Sequence, residues 1–165
     1  MKLLNNKYFL PVAACVCIVA VVAMLIVLFV PRMGTFTPPP FDEGAQAGEP
    51  EPEALDGLGY SPVSADGMPF RAALCGMLVE KSGKADVYFT NFSDNTVWMK
   101  LRITDSDGKI LGETGLIKPG EYVRSIEITG KYTAGQQVRM KIMTYEPETY
   151  YSAGSVNLGT VISKA

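Results

Sequence analysis

Hydrophobic positions divide the chain into three parts. Residues 8–30 form an unbroken uncharged run, residues 31–69 hold few apolar residues in no regular order, and residues 70–165 alternate between apolar and polar residues in short stretches. A helix over residues 8–30 would be about 35 Å long, enough to cross a bilayer core of about 30 Å. The pattern predicts a tail at 1–7, a transmembrane signal-anchor helix at 8–30, a linker at 31–69 and a β-sandwich domain at 70–165.

The alternating stretches after residue 70 are the length of β-strands. In TVWMKLRIT, residues 96–104, the apolar Val97, Met99, Leu101 and Ile103 share one side. Turn sequences such as DSDG (105–108) and KPGE (118–121) separate the stretches. The predicted strands are 73–80, 85–91, 96–104, 109–114, 122–129, 138–145 and 153–162. This spacing is typical of an all-β, two-sheet sandwich with an immunoglobulin-like or fibronectin-III-like topology. Another small Greek key or a jelly roll is the alternative.

Trp98, the only tryptophan, alternates with charged residues. It shares a side of its strand with Lys100 and Arg102. Burying two unpaired cations costs several kcal/mol each, whereas burying an aromatic side chain gains about 1.5–3 kcal/mol. We therefore expect Trp98 to face outward.

The strand at 138–145 has the same pattern, with Val138, Met140 and Ile142 on the inner side. In immunoglobulin-like sandwiches the third and sixth strands share a sheet and the seventh joins them. The sequence thus predicts one outward face that holds Trp98, Lys100, Arg102, Arg139, Lys141 and Tyr145. A protein-binding surface, a glycan-binding surface and an ordinary solvated face all fit this composition.

The segment between the apolar run and the strands is acidic. Between Met33 and Pro69 it has seven Asp or Glu residues and no Lys or Arg, together with many prolines and glycines. Such a sequence cannot bury enough apolar surface to offset the entropy lost on ordering. The sequence predicts a disordered linker that holds the domain away from the lipid.

Charges beside the apolar run predict its orientation. Lys2 and Lys7 precede it, and Arg32 is the one cation between it and the acidic linker. The positive-inside rule places the amino terminus in the cytoplasm and the β domain outside the cell membrane. Two alternatives remain open: cleavage as a secretory signal, and lipid attachment at Cys15 in the sequence VAAC.

Composition excludes several kinds of chemistry. Histidine is absent, which removes histidine-dependent catalytic triads and the commonest metal ligand. The formal net charge of −2 argues against nucleic-acid binding. Cys75, the one cysteine after the apolar run, lies in an apolar stretch that is typical of a core thiol. We expect no enzymatic activity, no metal site and no cofactor.

The order of tail, apolar helix, Pro/Glu-rich stalk and β module resembles that of single-pass bacterial envelope proteins. The resemblance implies a non-enzymatic, membrane-anchored extracytoplasmic interaction module with a protein partner in a surface or secretion-type assembly. The alternative is a module that binds cell wall or carbohydrate through its exposed aromatic side chains.

Overall fold

The computed structural model describes residues 9–29, 36–63 and 67–165. The predicted tail at 1–7 and residues 8, 30–35 and 64–66 lie outside the described residues. The chain divides into two compact units, Met1–Thr37 and Pro38–Ala165. In the first unit, α1 spans Phe9–Phe29 and contains no charged residue.

No helix in the described part of the chain is both long and apolar enough to cross a membrane. The transmembrane span at residues 8–30 therefore stays a prediction.

The second unit is built from β-strands, which confirms the predicted β class. In addition to a short 3₁₀ helix at Pro52–Leu55, the described residues form ten strands. The strands are β1 (Ala45–Ala47), β2 (Tyr60–Val63), β3 (Ala72–Cys75), β4 (Leu78–Lys81), β5 (Lys84–Asn91), β6 (Trp98–Thr104), β7 (Ile110–Glu113), β8 (Glu121–Glu127), β9 (Gln136–Tyr145) and β10 (Ser152–Lys164).

These strands form one curled, sandwich-like sheet. One group runs in the order β7-β6-β9-β10, and the other contains β1-β8-β5 with β3 and β2 beyond β5. Strand β4 joins the groups because it pairs with β5 and, in parallel, with β10. The expected pairings of the third with the sixth and the sixth with the seventh predicted strand are confirmed as β6–β9 and β9–β10.

The core lies between the two groups of strands. Met99, Leu101 and Ile103 of β6 are fully buried, and the alternate residues of β9 that were predicted to point inward are also buried. The apolar alternation therefore predicted the inner face of both strands correctly. The two predicted turns are present: Asp105 accepts hydrogen bonds from the backbone N–H groups of Asp107 and Lys109, and Gly120 has φ +77° in KPGE.

The disordered-linker prediction for residues 31–69 is corrected over part of that range. Strand β1 pairs with β8, and β2 pairs with β3. The segment lacks a regular apolar pattern, but other strands supply hydrogen-bond partners for its backbone groups. These backbone hydrogen bonds order the segment although it buries little apolar surface. The predicted strand 73–80 is two strands, divided where the Gly76 N–H donates to the Gly59 carbonyl.

Candidate interaction face

The pairing of β6 with β9 brings the six predicted site residues to one side of the sheet. Trp98 lies opposite Tyr145, Arg102 opposite Lys141, and Thr104 opposite Arg139. Since alternate residues of an antiparallel pair share a face, these side chains form one surface together with Lys100. We call the surface formed by Trp98, Lys100, Arg102, Arg139, Lys141 and Tyr145 the β6–β9 face.

Trp98 is half-buried, and two aromatic rings pack against it. The Phe41 ring centroid lies 4.9 Å from that of Trp98, and the Tyr150 centroid lies 5.2 Å away, both in edge-to-face geometry. Each contact of this kind is worth about 0.5–1.5 kcal/mol beyond area burial. Trp98 therefore faces outward from the core, as predicted, but it is the centre of an aromatic cluster instead of an open platform.

Phe41 reaches Trp98 because its neighbours are hydrogen-bonded to the chain before β8. Leu116 N–H donates to the Pro40 carbonyl at 2.9 Å, and Asp42 N–H donates to the Leu116 carbonyl at 2.9 Å. The Asp42 carboxylate also accepts from Gly115 N–H at 2.7 Å. Sequence reasoning missed Phe41 because it assigned this segment to the linker.

Tyr150 is held by a tight loop between β9 and β10. Glu146 N–H donates to the Tyr151 carbonyl at 2.8 Å, and Tyr150 N–H donates to the Glu146 carbonyl at 3.0 Å. Tyr150 itself has φ +58°, an uncommon conformation for a bulky residue. The loop turns Tyr150 onto Trp98 and leaves Tyr151 71% exposed.

Lys100 and Arg102 share one carboxylate. Lys100 Nζ lies 2.8 Å from Glu113 Oε1, and Arg102 Nε lies 2.9 Å from Glu113 Oε2. Lys100 is only 8% exposed. Lys100 lies on the predicted outward side of its strand, but Glu113 on β7 pairs with it, so its charge is less available to a partner than that of an exposed lysine.

The two cations change the acidity of Glu113. Burial by itself raises the pKa of this carboxyl, but the hydrogen bonds and charges of Lys100 and Arg102 outweigh burial and lower the pKa. A carboxyl with a lowered folded-state pKa stabilises the fold above its unfolded pKa of about 4.3, and this stability is lost as pH falls through the folded value.

Glu113→Gln is expected to cost about 1–3 kcal/mol at neutral pH, because Lys100 loses its charged acceptor. As pH falls from about 4.3 through the lowered folded-state pKa, the difference between the variant and the parent should shrink, since the parent carboxyl becomes neutral like the glutamine amide. Urea denaturation between pH 3 and pH 7 measures both effects. Glu127→Gln, which removes a 74% exposed carboxylate, is the matched control. An equal pH slope in parent and Glu113→Gln would contradict the assignment.

Two cations on the face have no carboxylate partner among the described residues. Arg139 is exposed and Lys141 is half-buried, and neither forms an ion pair within the described part of the chain. Across the next ladder, Lys141 lies opposite Asn157 and Arg139 opposite Gly159, so β10 places no charged residue opposite either cation. The face thus holds four cations and one carboxylate, Lys100, Arg102, Arg139, Lys141 and Glu113.

Cys75 lies in the core, as the sequence predicted. It is fully buried in β3, and burial raises the pKa of its thiol to about 12. The thiolate is the reactive form of cysteine, so this side chain is inert at neutral pH.

Comparisons with known proteins add little to this picture. No family model and no curated protein matches the chain. Among solved structures, the chain is similar to CopC from Methylosinus trichosporium OB3b at 12% identity and a TM-score of 0.34, over 64% of this chain and 94% of that one. A likeness of this degree decides neither fold family nor function.

Proposed function

We propose that this protein is a non-enzymatic interaction module, anchored in a bacterial cell membrane, that binds an acidic protein surface through the β6–β9 face. The support for the anchor is the uncharged sequence of residues 8–30 with its preceding lysines. The module is proposed to lie outside the membrane, in a surface or secretion-type assembly. The pairing of β7-β6-β9-β10 supports a fibronectin-III-like topology for it.

One observation carries this proposal. Arg102 lies directly opposite Lys141 in the β6–β9 ladder. Like charges in directly opposed positions destabilise a sheet, and Glu113 contacts Arg102 but not Lys141. An acidic partner would offset this repulsion on binding. Lys141, which has no ion pair among the described residues, would therefore contribute to binding although it does not stabilise the fold.

Lys141→Gln is expected to separate binding from stability. The free energy of unfolding should stay equal or rise by about 0.2–1 kcal/mol, because the repulsion with Arg102 disappears. Co-purification of envelope proteins with the membrane-bound chain should fall, and the remaining binding should depend less on salt. Lys84→Gln is the control, because Lys84 is an exposed lysine on β5, outside this face. Undiminished binding by Lys141→Gln would contradict the proposal.

A module that binds cell wall or carbohydrate is the second candidate. Phe41, which packs against Trp98, is 38% exposed, and Tyr151, in the loop that holds Tyr150, is 71% exposed; exposed aromatic rings can stack on sugars. Retention of the chain on cell-wall glycan that is abolished by Trp98→Ala would favour this candidate. Loss of co-purifying proteins, with no glycan retention by any variant, would favour the first.

The proposed topology has its own test. Protease added to intact spheroplasts should digest the β module if it lies outside the membrane, while a cytosolic marker survives. Survival of the module together with the marker would contradict the proposed location.

A further inference from the structure

Strand β10 has a long open edge. It pairs with β9 from Ser152 to Ile162 but with β4 only at Ile162–Lys164. Gly135 N–H donates to the Ile162 carbonyl on the β9 side. Backbone groups of successive strand residues point to opposite edges. The backbone groups of Ser155, Asn157 and Gly159 therefore point away from β9, and none of the strand pairings or backbone hydrogen bonds of the described residues reaches them.

This β10 edge, residues 155–159, lacks the features that protect most exposed edges. Natural sheets guard their edges with charged residues, proline, bulges or very short strands. Residues 151–163, YSAGSVNLGTVIS, contain no charged residue and no proline, and the one irregularity in the pairing with β9 lies at Ser152/Gly154, before the open stretch. An edge of this kind is a ready template for another strand.

A groove lies beside the β10 edge. It has a volume of about 230 Å³ and is lined by Ser61, Val63, Leu74, Met140, Leu158 and Gly159, among others. Val156 and Leu158 pack against the core but remain half-buried. A strand placed beside β10 would pair its backbone with the open groups and direct every second side chain into this groove.

The geometry points to an extended, uncharged segment of a partner protein that adds to the β10 edge as a further strand. This inference rests on the proposed function and names how the partner is held. A segment with small apolar side chains at alternate positions matches the uncharged edge and the size of the groove. Ser61–Val63 of β2 form one wall of the groove, on the side away from β10. A second copy of this chain that paired through its own β10 would bring its own β2 against the β2 of the first copy, so the edge is better suited to a single separate strand.

Asn157→Pro tests the backbone pairing. The Asn157 N–H points to the open edge, so proline removes a donor there without removing a hydrogen bond to β9. The probe is a short synthetic peptide in which valine and serine alternate, added to the full chain in detergent. We expect the peptide to slow hydrogen exchange at the Asn157 and Gly159 amides of the parent by about tenfold or more. Asn157→Ser, which keeps the N–H, should still show protection at Gly159, and Asn157→Pro should show none.

The outcomes separate this inference from the proposed function. Protection by the alternating peptide but not by a proline-containing peptide of otherwise equal composition would support strand addition. Equal exchange with and without peptide would overturn it, as would protection that appears with rising protein concentration alone, which would assign the edge to a second copy. If Lys141→Gln loses the envelope partner and Asn157→Pro retains it, the proposed function stands and strand addition is wrong.

Discussion

Gly115→Ala is expected to detach the segment around Phe41 from the sheet while β3 to β10 stay folded. A Cβ at position 115 would lie 2.5 Å from Asp42 N and 2.6 Å from Asp42 Cα. These are backbone atoms, which no rotamer change can move away. The hydrogen bonds that join Pro40 and Asp42 to Gly115 and Leu116 would be lost together with the contact between Phe41 and Trp98. The expected cost is about 2–5 kcal/mol.

The fluorescence of Trp98 reports this detachment directly, because the chain has no other tryptophan. Its emission should shift to longer wavelength in Gly115→Ala as Phe41 leaves and water enters. Phe41→Ala should give a similar shift with a smaller loss of stability, since the backbone hydrogen bonds remain. Gly159→Ala is the control, because a Cβ there meets no atom within 4 Å. An unchanged emission spectrum in Gly115→Ala would show that the segment is not held as described.

The β6–β9 face was predictable because two local rules agree. Strand alternation fixes which residues share a side, and the cost of burying Lys100 and Arg102 without partners decides which side faces outward. Neither rule needs knowledge of the tertiary structure. The same rules identified the inner residues Met99 and Leu101, and both are fully buried.

The partners of that face were not predictable, because strand alternation does not say which side chains of other segments reach it. Glu113 reaches Lys100 across the β6–β7 hairpin, in a register that a bulge after Ile103 adjusts. Phe41 comes from a segment whose composition is typical of disorder, and it is ordered by backbone hydrogen bonds instead of by apolar periodicity. Composition reports how much surface a segment can bury, but not whether an open sheet edge will accept its backbone.

Asn91 is the centre of a buried hydrogen-bond network that joins three parts of the β unit. It is fully buried. Its side-chain Nδ2 donates to the Val97 carbonyl at 2.9 Å and to the Ile117 carbonyl at 3.2 Å. Its Oδ1 accepts from Asn95 Nδ2 at 2.8 Å. In the sequence, Asn91 is the first residue of NFS, a formal glycosylation motif, but a fully buried side chain cannot carry a glycan in the folded protein.

Asn91→Asp is therefore expected to destabilise the unit strongly. The substitution replaces the donor amide with an oxygen that faces two carbonyls, and ionisation adds a buried charge, at a cost of about 3–5 kcal/mol. Because burial should raise the pKa of the new carboxyl above its unfolded value of about 3.9, the loss should be smallest below that pH and grow as pH rises. Urea denaturation from pH 3 to pH 8 measures this, with the exposed Asn157→Asp as the control. A loss that is equal at all pH values, or equal in the two variants, would contradict the burial of Asn91, since an exposed carboxyl has nearly the same pKa in the folded and unfolded chain.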